Sequence, residues 1–238
     1  MALWSNDGYC PICKSEVVFE ARDEWLRDHY VCRRCGSIPR ERALMHVLDT
    51  WFPQWQEMSI HESSPVRRGA SVRLAGECRG YVPTRYFDNV PLGKSRRCIR
   101  CEDLERLTFP AASFDLQVTQ DVMEHVFDPE RAFREIARIL KPGGAHVFTV
   151  PLVRKTEASR RRAQRAGNGE IEYLLDAQYH RNPISGKGSL VVMDWGYDIC
   201  DFIHKASGMT TTMVVIDDLS RGIRAEYIEV LVSRKTAT

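Results

Sequence analysis

A chain of 238 residues can hold one full α/β domain and a small appendage, and 43% hydrophobic with 28% charged residues is the balance of a protein that buries an ordinary core. The 34 Lys and Arg nearly cancel the 32 Asp and Glu, and the net charge of +2 argues against a strongly basic nucleic-acid-binding domain. No apolar run approaches a membrane span, and Met1–Asp7 has neither the basic start nor the apolar centre of a signal peptide, so a cytoplasmic location without membrane attachment is expected.

Eight cysteines in a reducing compartment point to metal ligands or core residues rather than disulfides. Cys10-Pro11-Ile12-Cys13 and Cys32-Arg33-Arg34-Cys35 are two C-x-x-C knuckles eighteen residues apart, a spacing that reads as a structural zinc (Zn2+) site. Each knuckle brings two thiolates to one metal, and two knuckles complete a tetrahedron. Two unrelated pairs, or a redox dithiol, are the alternatives. Gly8 and Gly36 suit tight turns, and Val17-Val18-Phe19 reads as a short strand, giving a small ribbon-like module. The third pair, Cys98 and Cys101, falls in an apparent strand, where residues three apart face opposite ways, and is read as core.

Pro39 opens a helix whose apolar residues Ala43, Leu44, Val47, Leu48 and Trp51 recur at helical spacing, and Pro53 stops it. From about Glu57, short apolar runs alternate with helical segments, as in a parallel sheet. Ser113–Thr119 reads as a strand. The helix after it takes Asp128 as N-cap and Pro129 as first residue, and buries Ala132, Phe133, Ile136 and Leu140. Lys141 at the helix end and Pro142-Gly143-Gly144 beyond it are expected to terminate it, with His146–Val150 as the next strand. Asp194 is expected to cap a last helix closed by Gly208. Thr211–Ile216 and Glu226–Val232 then form an antiparallel edge pair. The expected boundaries are 1–38 for the zinc module, 39–56 for a linking helix and 57–238 for the α/β domain, with 153–187 an inserted polar loop.

Five segments, taken together in order and spacing, carry a family resemblance: Glu102-Asp103-Leu104, Leu107-Thr108-Phe109-Pro110, Ser113-Phe114-Asp115, Met123-Glu124-His125-Val126 and Leu140-Lys141-Pro142-Gly143-Gly144. They resemble the class I S-adenosylmethionine (SAM)-dependent methyltransferases, and within them the type 11 subgroup, closely over about Cys98–Pro151 and in outline elsewhere. The resemblance implies a Rossmann-like α/β fold, a mostly parallel seven-stranded sheet with helices on both faces, and SAM lying across the carboxyl ends of the strands. It also implies that Asp103 accepts a hydrogen bond from the adenine amino group and Leu104 touches the ring, the alternative for Asp103 being a solvated loop acid. Gln120 and Asp121 would line the methionine end and the substrate mouth. The first strand, near Met58–Glu62, departs from the pattern: Ser63-Ser64-Pro65-Val66-Arg67-Arg68-Gly69 replaces a glycine-rich loop. Glu62 stands as the first-loop acid, Ser63 and Ser64 are small enough for close approach, and Asp88, just beyond Arg85, is the candidate ribose acid.

The polar segment 153–187 is long enough to be functional. His180 within it, and His125 of the family segment, are the candidates for a base that takes the acceptor's proton; packing for His125 and an ordinary loop position for His180 are the alternatives. The arginines between Arg154 and Arg165 read either as a phosphate grip or as a solvated helix. Three functions follow: methyl transfer to a small-molecule hydroxyl or amine (a metabolite, sugar or natural product), methyl transfer to RNA gripped by the zinc module and the arginine run, or a non-catalytic zinc-bearing interaction protein. The first is preferred.

Overall fold

The computed structural model describes residues 2–180 and 188–237. The N-terminal module is a three-stranded antiparallel sheet of β1 (Trp4–Cys10), β2 (Ser15–Ala21) and β3 (Tyr30–Cys32), with a single helical turn, α1 (Leu26–His29), before β3. Gly36, at φ 68°, makes the turn of the second knuckle. Gly8 serves otherwise than expected: it lies inside β1, and a Cβ there would sit 2.3 Å from the Ser220 carbonyl oxygen, so it lets the module approach the distant end of the chain.

Next come α2 (Pro39–Trp51), β4 (Ser59–Ser63), α3 (Gly69–Glu77), β5 (Gly80–Arg85), and the short β6 (Ser95–Arg96) and β7 (Ile99–Cys101). Then β8 (Phe114–Gln120) and β9 (Leu140–Thr149) flank α4 (Pro129–Ile139). Asp128 caps α4 as expected, its carboxylate accepting from the Arg131 N–H at 3.0 Å. The helix end differs from expectation. Lys141-Pro142-Gly143-Gly144 belongs to β9, where an irregular register opposite Phe114–Leu116 accommodates it, and Lys141 Nζ donates to the Asp115 carboxylate at 2.9 Å.

The segment 153–187, expected as a polar loop, carries β10 (Arg160–Arg161), β11 (Ala163–Arg165), β12 (Ile171–Tyr173) and β13 (Tyr179–His180), and with β14 (Ser189–Leu190) and β15 (Met193–Asp194) just beyond it forms the pairs β10–β15, β11–β12 and β13–β14. The arginine run is therefore extended, not helical. Arg160 and Arg162 reach Asp194 at 3.1 and 2.8 Å, and Arg161 donates to the Phe127 carbonyl at 2.7 Å. Asp194 is thus no helix cap; α5 (Ile199–Ser207) starts after Asp198 and ends at Gly208, whose φ of 74° closes it. Strands β16 (Thr210–Val214) and β17 (Val230–Arg234) finish the chain.

The main sheet has eight strands in the order β16-β17-β9-β8-β4-β5-β7-β6, one more than expected because the two-residue β6 adds an edge. Strands β7, β5, β4, β8 and β9 are parallel, and β17 enters antiparallel between β9 and β16. Helices cover both faces. One core packs Leu44, Leu48 and Leu74 of α2 and α3 on Ile60, Val118, Val147 and Val230. The other packs Phe133 and Ile136 of α4 and Ile203 of α5 on Phe148, Trp195 and Leu231. Alternation along β17, with Val230 and Val232 in one core and Leu231 in the other, is what a sheet buried on both faces demands. Cys101 is buried in β7, but Cys98 is exposed in the β6–β7 turn at φ 64°, which corrects its reading as core.

Arg42 of α2 fastens the module to the main domain. Fully buried, it donates to the carbonyls of Ser37, Tyr30 (2.8 Å) and Gly222 (2.9 and 2.6 Å), and lies over the Phe19 and Tyr30 rings. Removing the guanidinium takes the side-chain donors from three buried carbonyls, of which Ser37 keeps the Cys32 N–H at 3.0 Å. Arg42→Ala should therefore lower unfolding stability by roughly 3 kcal/mol or more in urea titration, and a loss under about 1 kcal/mol would contradict this account.

Candidate functional site

Strand order reverses at β4: β5 and β7 build outwards on one side, β8 and β9 on the other. The carboxyl ends of β4 and β8 therefore flank the switch point, where α/β sheets hold their ligands. Two residues there take left-handed backbone without being glycine, Ser64 at φ 59° and Asp121 at φ 51°. Such conformations cost energy and gather at functional sites.

Glu62, near the end of β4, is buried and occupied. Its carboxylate accepts from Ser71 Oγ at 2.6 Å, Tyr81 OH at 2.6 Å and Gln120 Nε2 at 2.8 Å, joining β4 to α3, β5 and β8. Burial pushes its pKa up, against three donors that favour the charged form. Ser63 is buried beside it, and the Ser64 N–H donates to the Thr84 carbonyl at 2.8 Å. Among the described residues, Gln120 Oε1 at the end of β8 and Arg85 Nε at the end of β5 are buried without a hydrogen-bond partner. An acceptor and a donor left open at the switch point fit a polar ligand there. Asp88 is exposed in the turn after β5. Beyond β7, Asp103 Oδ1 accepts from the Glu105 N–H at 2.9 Å, and Leu104 is buried in the core.

Asp121 does not face an open mouth. Its carboxylate takes Arg27 Nη2 at 2.7 Å, Arg40 Nε at 2.9 Å and Thr149 Oγ1 at 3.1 Å. Arg27 also donates to the Tyr227 carbonyl at 3.0 Å, and Arg40 to Asp28 at 2.8 Å. Burial alone would push the Asp121 carboxyl up, but the two guanidiniums outweigh it and hold it well below the usual carboxylate range. Nothing in the sequence marks Arg27 and Arg40 as partners of Asp121, because the contact spans the two ends of the fold. Beyond Arg27, a cleft of about 520 Å³ opens between Trp25 of the module, Tyr197, and the β16–β17 connection at Tyr227 and Glu229.

His125 and His180 are brought together, their rings 5.5 Å apart and perpendicular, with Glu124 between them. In the N-terminal module, Cys10 and Cys35 stand 3.9 Å apart and Cys13 and Cys32 3.8 Å, and all four sulfurs lie within 4.8 Å of one another. A tetrahedron of sulfurs about 2.3 Å from zinc has edges of about 3.8 Å, so the donor set fits that ion.

Comparison with known proteins agrees with this architecture. Residues 84–148 match the methyltransferase domain family model. A structure of a SAM-dependent methyltransferase from Mesorhizobium loti superposes with a TM-score of 0.51 at 18% identity, over 81% of this chain and 98% of that one. The fold is that of the SAM-dependent methyltransferases. Among curated relatives, a ubiquinone biosynthesis O-methyltransferase of Coxiella burnetii is 40% identical over 50 residues, 21% of each chain. One of Ralstonia nicotianae is 28% identical over 154 residues, 52% of this chain and 63% of that one. The chain thus spans between a fifth and two thirds of the length of these relatives.

The Asp121 pairing sets a pH dependence. A depressed carboxyl contributes stability that is fully present above its unfolded value near 4 and lost as pH falls towards the folded value. Asp121→Asn should cost roughly 3 kcal/mol near neutrality, because Arg27 loses its carboxylate and Arg40 keeps only Asp28, and the gap to wild type should start to narrow below about pH 4 and shrink as pH falls further. A gap as wide at about pH 2 as at pH 7 would contradict the pairing.

Proposed function

We propose that the chain is a SAM-dependent methyltransferase whose acceptor is a small molecule bearing a hydroxyl or an amine. One observation carries this reading: a methyltransferase-type sheet keeps an unpartnered donor and acceptor, Arg85 Nε and Gln120 Oε1, buried at its switch point. Bound there, SAM would supply an electrophilic methyl group to the acceptor's oxygen or nitrogen.

The chain's own residues take these parts. Ser63 and Ser64 let the backbone come close to the ligand, with left-handed Ser64 standing where a glycine would be easier. Asp103 and Leu104 hold the adenine end, Gln120 the methionine end, and Glu62 keeps the floor rigid through its three donors. Asp88 or Arg85 meets the ribose. In the metal-free chain, His125, following β8, and His180, from the insertion, would take the acceptor's proton. Alignment of acceptor and methyl group provides the rest.

The N-terminal module, with zinc on Cys10, Cys13, Cys32 and Cys35, supports the small-molecule reading through its position. Arg27 and Arg40 draw it over the carboxyl end of β8, and the cleft beyond Arg27 is of a size that suits a small acceptor. The ubiquinone biosynthesis enzymes, O-methyltransferases by name, favour the same class. The arginine run, tied to Asp194 and to carbonyls, is largely spoken for within the chain, which disfavours an RNA grip.

The adenine assignment can be tested by ligand-induced thermal stabilisation. With S-adenosylhomocysteine at a hundred times Kd, wild type should gain about 2.7 kcal/mol, or roughly 6 °C in Tm. Asp103→Ala, binding about tenfold more weakly, should show about half that shift. Asp88→Ala, exposed at its turn, should move it less; equal losses would displace the adenine from Asp103.

A further inference from the structure

Glu124 is buried, with 1% of its surface exposed, and neither carboxylate oxygen has a hydrogen-bond partner among the described residues. A carboxylate removed from water needs donors or a cation, and among the described residues no donor is within hydrogen-bond reach. What surrounds it instead are two imidazole nitrogens. His125 Nε2 lies 3.7 Å and His180 Nδ1 3.8 Å from Glu124 Oε1, too far for hydrogen bonds, and one atom from each residue falls within 4.8 Å of the others.

The tautomer of His125 is fixed. Its Nδ1 stands 2.7 Å from the Leu190 carbonyl oxygen, which only accepts, so Nδ1 carries the proton and Nε2 turns a lone pair towards Glu124. A backbone carbonyl orienting the far nitrogen is the usual outer support of a metal-binding histidine. The Glu124 backbone is held too, its carbonyl accepting from the N–H groups of Val192 at 2.7 Å and Met193 at 3.1 Å. His180 comes from β13, paired with β14, so the third donor is presented by the insertion.

We propose that Glu124, His125 and His180 bind a divalent transition-metal ion of the zinc class, separate from the cysteine site. Two imidazoles and one carboxylate suit zinc, iron(II) or cobalt(II), whereas magnesium prefers an all-oxygen shell. Ligand distances near 2.0–2.2 Å put neighbouring donors about 3.4 Å apart, so the Glu124 edges need to shorten by only a few tenths of an ångström. Three protein ligands leave a coordination position open, three residues along the chain from Asp121 at the end of β8. An acceptor oxygen occupying that position is the use this site would have under the function proposed above; binding of the metal itself does not depend on that function.

The test is cobalt(II) titration of the metal-free full chain, followed by visible spectroscopy and calorimetry, with zinc content measured in parallel. Wild type should bind about two ions, one with the intense thiolate charge-transfer band of a four-sulfur site and one without it. Glu124→Gln and His180→Ala should each lose the second ion and keep the first, while Cys32→Ser should lose the thiolate band and keep the second. His180→Ala alters a half-exposed strand residue, so a folded variant is available even if the Glu124 change disturbs the core. A single ion in wild type at excess metal, or a second ion that survives both Glu124→Gln and His180→Ala, would overturn the proposal. Neither result touches SAM binding, which S-adenosylhomocysteine reports separately.

Discussion

A carboxylate at the end of β8 holds the molecule together. Asp121 is held in left-handed backbone, drawn off water and neutralised by Arg27 and Arg40, one from the turn before β3 and the other from α2. Asp121 or Arg27 alone would be a buried charge without compensation, and with Arg40, which also holds Asp28, they fix how the cysteine module sits on the sheet. Arg42 repeats the theme with carbonyls, joining Tyr30 and Ser37 to Gly222, and Arg73 of α3 extends it to the first knuckle, donating to the Pro11 carbonyl at 2.9 Å and to Asp49. Four arginines thus tie the module to the main domain. The module is seated on the catalytic-type domain and is no free appendage.

This seating bears on how the switch point works. In the absence of a glycine-rich loop, Ser64 adopts left-handed backbone itself, and Glu62 is satisfied internally by Ser71, Tyr81 and Gln120. The floor of the crevice is therefore rigid before any ligand arrives, and Arg85 Nε and Gln120 Oε1 are left as open polar atoms beside it. Preorganisation of this kind reduces what a ligand must order on binding.

Much of the fold was legible because its signals are local. The Asp128-Pro129 start of α4, the knuckle spacing and Gly208 at the end of α5 each depend on neighbouring residues, whereas the last strand, expected over Glu226–Val232, begins only at Val230. Misreadings arose where tertiary pairing overrode local preference. Pro142-Gly143-Gly144 looks like a helix stop, but β8 recruits it into β9 through an irregular register. Asp194 looks like a cap and is held in β15 by Arg160 and Arg162. Gly8 reads as a turn and is a point of close approach. The site followed the same rule. Positions of Asp103, Gln120 and Asp121 relative to the strands could be read from order and spacing. The Arg27 and Arg40 partners of Asp121, the internal engagement of Glu62 and the meeting of Glu124 with His180 could not, since each joins residues from separate elements. Residues 181–187 of the polar segment lie outside the described residues.

The central claim is that this switch point holds SAM despite its altered first loop. Calorimetric titration of the metal-loaded chain with S-adenosylhomocysteine addresses it most directly. The account predicts one binding site per chain in the micromolar range, about −8 kcal/mol. No heat and no competition by SAM, with the protein folded and its metal in place, would contradict it.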